Sequence, residues 1–72
     1  MQWTKAGSDE WRLAEQGFEG RAAIQHTNQG FVAAISVTEK EFDIELLDER
    51  EFFENRDAAR DFLQEKMDKD SY

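Results

Sequence analysis

From Arg21 to Leu47 apolar side chains recur at every second position, which is the period of a pleated strand and not of a helix. In the segment 31–38, Phe31, Ala33, Ile35 and Val37 share one face, and Val32, Ala34 and Ser36 share the other. Apolar content on both faces predicts a central strand with a neighbour on each side. Arg21 to Thr27 predicts another strand, with Ala22, Ile24 and His26 on one face and Ala23 and Gln25 on the other. Asn28-Gln29-Gly30 joins the two segments, and Asn and Gly tolerate the positive φ of a short hairpin loop. Glu41 to Leu47 alternates most cleanly. Phe42, Ile44 and Leu46 are predicted to point inward, and Glu41, Asp43 and Glu45 to point to water.

The flanking segments complete the pattern. Residues 1–9 predict a strand and the turn Ala6-Gly7-Ser8-Asp9. Residues 9–16 admit two readings. Trp11 and Leu13 alternate as in a strand, whereas Ser8 could cap a short helix stopped by Gly17. The alternation favours the strand. Gln16-Gly17 and Glu19-Gly20 frame Phe18 in a predicted loop. Thr38-Glu39-Lys40 predicts a turn, and Asp48-Glu49-Arg50 a turn or bulge. Phe52-Phe53 is a short strand or the lead into the last element.

Residues 55–68 predict an amphipathic helix. Asn55 is a good N-cap, Asp57 suits the positive end of the macrodipole, and Lys66 and Lys69 suit the other end. Ala59, Phe62, Leu63, Lys66 and Met67 form one stripe. Residues 69–72 are predicted to fray. The fold class is therefore α+β: a single small domain, 1–72, with an antiparallel four- or five-stranded meander over 10–53 and one C-terminal helix packed on one face. The alanines at 22, 23, 33 and 34 would let the helix approach closely. The uncovered face would carry Val32, Ala34, Leu47 and one of the tryptophans, a surface suited to a second copy or another protein.

A chain of 72 residues buries only about 60% of its unfolded surface, so its stability belongs near the lower end for domains. There is no cysteine, hence no disulfide or thiolate metal site to supplement the core. Neither a secretory signal nor an apolar run of the roughly 18 residues that cross a bilayer is expected, and the compartment implied is the cytoplasm. Seventeen acidic residues against nine basic give a net charge of −8. That charge repels nucleic acid and anionic lipid, whose binding relies on cations, so neither is an expected partner. With only four lysines, the balance fits a protein screened by concentrated cellular salt, or equally an ordinary acidic protein.

No catalytic constellation is visible, and no metal or cofactor is expected. His26 is the only histidine, and the residues beside it supply neither a nucleophile nor an orienting carboxylate. Asp43 and Glu45 share a predicted strand face with Glu41, but without the alternating ligands and central glycine of a calcium loop. Gly17-Phe18-Glu19-Gly20 lacks the lysine and following helix of a phosphate loop.

The run Phe52-Phe53-Glu54-Asn55-Arg56-Asp57-Ala58-Ala59-Arg60-Asp61-Phe62-Leu63 places a strand-end aromatic, a polar step and an Ala-x-x-Phe-Leu helix in order. This layout resembles the small three-strand-plus-helix domains, such as the AP2-like arm-binding domains of integrases. That resemblance implies a sheet that binds DNA, whereas the acidic charge argues against it. The whole chain also resembles short acidic proteins of halophilic archaea, which implies no activity. The expected function is a non-catalytic protein-interaction module, as a homodimer, through Val32, Ala34 and Leu47. The alternative is an acidic inhibitor that mimics nucleic acid toward a basic protein through Asp43 and Glu45.

Overall fold

The computed structural model describes residues 2–69, in which five antiparallel strands follow one another in sequence order across one sheet and lead into a helix. The strands are β1 (Trp3–Gly7), β2 (Glu10–Glu15), β3 (Phe18–His26), β4 (Phe31–Glu39) and β5 (Ile44–Phe53), and the helix is α1 (Arg56–Lys69). The α+β class and the meander agree with the sequence reading, and residues 10–15 are strand rather than helix. Of the tail expected to fray, residues 70–72 lie outside the described residues.

The core lies between α1 and one face of the sheet. Ala22, Ile24, Ala33 and Ile35 form its floor, and Ala59, Leu63 and Met67 its roof. Ala22 and Ala33, both fully buried, are the small side chains that let the helix settle against β3 and β4. Ala23 and Ala34 point to the opposite face, so only half of the predicted alanine set lies beneath the helix. Trp3, Trp11, Phe31, Leu47, Phe53 and Phe62 close the rim. Asn55 caps the helix as its sequence position predicts, accepting a hydrogen bond from the Ala58 amide at 2.8 Å. At the same end Arg56 donates from Nε to Asp9 Oδ1 at 2.8 Å and from Nη2 to the Ser8 carbonyl at 3.3 Å. The start of α1 is thereby tied to the β1–β2 turn.

Several turns sit elsewhere than predicted, and each displacement has a local cause. The β2–β3 turn is Gln16-Gly17, with Gly17 at φ 86°, and β3 begins at once with Phe18. Phe18 to Gly20 is therefore strand and not loop. Gly20 is buried there because Trp3 lies across it: a Cβ at residue 20 would meet Trp3 Cη2 at 2.8 Å and Leu13 Cβ at 2.9 Å. The β3–β4 hairpin loop is where Asn28-Gln29-Gly30 predicts it. Thr27 Oγ1 accepts from the Gln29 and Gly30 amides at 3.3 and 3.1 Å, and at Gly30 a Cβ would come within 2.5 Å of the Phe53 carbonyl.

The largest correction concerns residues 40–50. The β4–β5 turn spans Lys40 to Asp43, closed by the Glu39 carboxylate, which accepts from the Glu41 and Phe42 amides at 2.9 Å each. Asp43 adopts φ 55° at the end of this turn. β5 then pairs Glu45 with Thr38 but Leu47 with Val37, so Leu46 is an extra residue that breaks the alternation. Phe42, in the turn, and Leu46, at the bulge, are thus 72% and 52% exposed, and Ile44, which pairs with Glu39 on the helix-side face, is 50% exposed at the strand's start, so the three do not form an inward row. Asp48-Glu49-Arg50, predicted as a turn or bulge, is continuous strand.

Gly20→Ala should lower stability by about 1–3 kcal/mol, because Trp3 and Leu13 have to move. Leu63→Ala, at a fully buried site, should cost about 2–5 kcal/mol. Urea denaturation followed by far-UV circular dichroism measures both, and an unchanged midpoint for Gly20→Ala would contradict the packing described.

Candidate functional site: the open face of the sheet

The face opposite the helix is uncovered, and the strand register arranges its side chains in rows. One row crosses all five strands as Thr4, Arg12, Arg21, Ser36 and Asp48, each directly opposite the next. A second row is Glu10, Ala23, Ala34 and Arg50. A third is Ala14, Glu19, Thr38 and Glu45. Gln25, Val32 and Phe52 make the last. Small residues thus pave the middle of the face, and Arg12, Arg21 and Arg50 rise from it.

Arg12 and Arg21 are like charges at directly opposed positions, which on its own destabilises a sheet. Glu10 offsets this. Its Oε1 lies 3.4 Å from Arg12 Nη2 and its Oε2 lies 3.4 Å from Arg21 Nη2. The two arginine side chains stay 61% and 65% exposed, so their remaining donors face solvent. Two shallow depressions flank Arg21. One, of about 290 Å³, is lined by Arg12, Glu19, Gly20, Arg21, Ser36 and Thr38. The other, of about 410 Å³, reaches from Arg21 over Ala23 and Ala34 to Asp48 and Arg50. Small-molecule sites enclose most of their ligand between apolar walls, and these open polar hollows do not.

At the β5 end of the face Asp48 raises the Glu45 pKa above its ordinary value, first because its carboxylate favours hydrogen bonding to the protonated Glu45, then through its charge, with a smaller contribution from desolvation.

The predicted interaction residues are only partly brought together. Val32 and Ala34 lie on the open face, half-buried. Leu47 pairs with Val37 and packs against the helix-side core. Trp3 and Trp11 also pack there, so neither tryptophan is on the open face. Glu45 is on the open face, but Asp43 is in the β4–β5 turn, and the two do not form a strand-face row. His26 is exposed at the end of β3 and stacks on Phe31 with ring centroids 4.7 Å apart. Among the described residues no group of His, Asp and Glu could hold a metal ion, and no helix is long and apolar enough to cross a membrane. The arginine cluster is absent from the sequence reading. Its signal is the spacing: Arg12 and Arg21 are equidistant from the turn Gln16-Gly17. No known family, curated protein or solved structure matches the chain.

Asp48→Asn should bring the Glu45 pKa down toward its ordinary value, read by carboxyl-detected NMR titration. The sign for stability follows from the raised value. The folded state holds the Glu45 proton more tightly than the unfolded chain, so this pair's contribution is greatest in acid. It is lost as pH rises through the Glu45 titration. The variant's gain over the parent should therefore appear at neutral pH and shrink in acid. An equal gain at both would show that the Glu45–Asp48 contact is not its cause.

Proposed function

We propose that this protein is a non-catalytic interaction module whose open sheet face binds another polypeptide. The observation that carries the reading is the array of Arg12, Arg21 and Arg50 over a floor of Ala23, Ala34, Ser36 and Thr38, on a face that no element among the described residues covers. Arginine is enriched in protein interfaces and lysine depleted. A guanidinium brings a planar fork of donors and an apolar flat side to a partner. The described lysines all lie elsewhere: Lys5 on the helix side of β1, Lys40 in a turn, and Lys66 and Lys69 in α1.

The same composition argues against this face as the homodimer surface expected from Val32, Ala34 and Leu47. Permanent dimer interfaces are more apolar than this mixed-charge array. It fits a separate partner whose carboxylates and backbone carbonyls take the arginine donors that Glu10 leaves unused. The nucleic-acid-mimic reading finds less support here, since the arginines interrupt the carboxylates and Asp43 is not on the sheet.

Immobilised parent protein should retain a discrete partner from the native cell extract. Arg12→Gln/Arg21→Gln should weaken that retention about tenfold or more, while Arg60→Gln on the exposed side of α1 should leave it unchanged. Equal retention by all three, or none by the parent, would remove the basis of this reading.

A further inference from the structure

The sheet ends in two unlike edges. β1 is five residues long, and its pairing with β2 shifts between Lys5 and Gly7. A short, irregular strand is a blunted edge. β5 is ten residues long, and from Leu47 to Phe53 it keeps unbroken register with β4. It is the last strand in the sheet order, so its outer N–H and C=O groups meet no other strand among the described residues. Leu46 and Phe52 stand at either end of this stretch, 52% and 48% exposed.

The side chains of this edge are complementary to themselves when the strand is turned end for end. Asp48, Arg50 and Phe52 project on the open face, with Leu46 at the bulge just before them. Rotation about Glu49 sets Asp48 opposite the partner's Arg50, and Leu46 opposite the partner's Phe52. Two-fold symmetry makes each contact twice. Opposite-charge and aromatic–aliphatic pairs are the ones that stabilise adjacent antiparallel strands. Other centres fail. Centring on Asp48 puts that carboxylate against its own copy and Leu46 against the partner's Arg50. Centring on Arg50 opposes the two guanidiniums and sets Asp48 against the partner's Phe52.

We propose that β5 pairs antiparallel with β5 of a second copy, in the register centred on Glu49, giving a homodimer with one continuous sheet. Glu49 then faces its own copy on the helix side. There Lys66 Nζ lies 2.8 Å from Glu49 Oε2 and supplies the compensating charge within each protomer. The two helices fall on the same side of the joined sheet. β4 and the partner's β4 are three strand spacings apart, about 14 Å. That exceeds the 8–10 Å between packed helices, so helices seated over those strands pass without collision. The two open faces become one surface. Of the three arginines on that surface only Arg50 enters the new contacts, so the Arg12 and Arg21 variants report on what the surface binds without touching the dimer.

Sedimentation equilibrium over a concentration series, with circular dichroism to confirm folding, tests the proposal. The parent should dimerise reversibly. Asp48→Arg and Arg50→Asp should each weaken association about tenfold, because both symmetric pairs become repulsive. The combined swap Asp48→Arg/Arg50→Asp should restore it. An equimolar mixture of the two single variants should dimerise where neither does alone, since every opposed pair is then complementary. A second measurement does not need the charge variants to fold. The chain has no cysteine, so Glu49→Cys should oxidise to a covalent dimer, whereas Glu51→Cys should not. A parent that stays monomeric throughout, folded single variants whose mixture stays monomeric, or equal cross-linking at 49 and 51 would overturn the proposal.

Discussion

The packing of α1 onto Ala22 and Ala33 is the contact on which the rest of this structure rests. A meander alone exposes two faces, and isolated strands do not hold together without a hydrophobic face buried against something. Here the roof is one short stripe, Ala59, Leu63 and Met67, and the floor has two methyl groups at its centre. The close approach that alanine allows brings Leu63 and Ala59 to zero exposure. Asn55 and Arg56 hold the start of the helix in place, the first by accepting from the Ala58 amide and the second by donating to Asp9 at the far end of the sequence. With no disulfide to share the work, loss of that seat would release the whole sheet face at once.

One helix covers one face and only part of its length. Beyond its reach Lys5 of β1 and the β4–β5 turn are exposed, and the bulge at Leu46 adjoins that turn. The opposite face is free of the demands of the core. Most of its positions carry charged residues, serine, threonine or alanine, and Val32 and Phe52 are the large apolar side chains at one end. The like charges of Arg12 and Arg21 are held together by Glu10 alone, at contacts long enough to be exchanged for a partner's carboxylate. A sheet that needed the pair only for stability would gain more from a neutral residue at either position.

The sequence makes β3, β4 and α1 legible because each has a period that no other structure explains. Ala33, Ile35 and Val37 alternate, and Ala59, Leu63 and Met67 are spaced by one helical turn. What escapes is position along the chain where the period breaks. Phe42, Ile44 and Leu46 alternate perfectly and yet are exposed: Phe42 falls in the turn before the left-handed Asp43, Leu46 is the bulged residue, and Ile44 starts its strand on the helix-side face but outside the buried core. Alternation records a strand's faces but not which face meets the helix. Placing Phe18 in a loop likewise hides the open-face array. Once the turn is confined to Gln16-Gly17, Arg12 and Arg21 become neighbours by register alone. Arg50 joins them only through β4, a relation between residues far apart in sequence. The resemblance to three-strand-plus-helix domains captures the order of elements, while the charge on the sheet is set by side chains outside that pattern.

An acidic molecule with three arginines set among carboxylates on one face treats distant and close partners differently. At long range the net charge of −8 sets the field, and polyanions are repelled before any contact forms. Within a Debye length, about 10 Å at ordinary ionic strength, the local arrangement takes over, and Arg12, Arg21 and Arg50 present donors to whatever has come near. For the proposed interaction, selection would then fall to partners that are not strongly anionic overall but carry carboxylates or carbonyls at matching positions. The same logic governs the β5 edge. Its acidic side chains discourage indiscriminate strand pairing, as edge charges do in other sheets. Only a strand that sets a cation against Asp48 and an anion against Arg50 escapes the penalty. Of the two edge strands, β1 carries no acidic side chain, whereas β5 reversed upon itself meets that condition, so the feature that protects the edge also names its occupant.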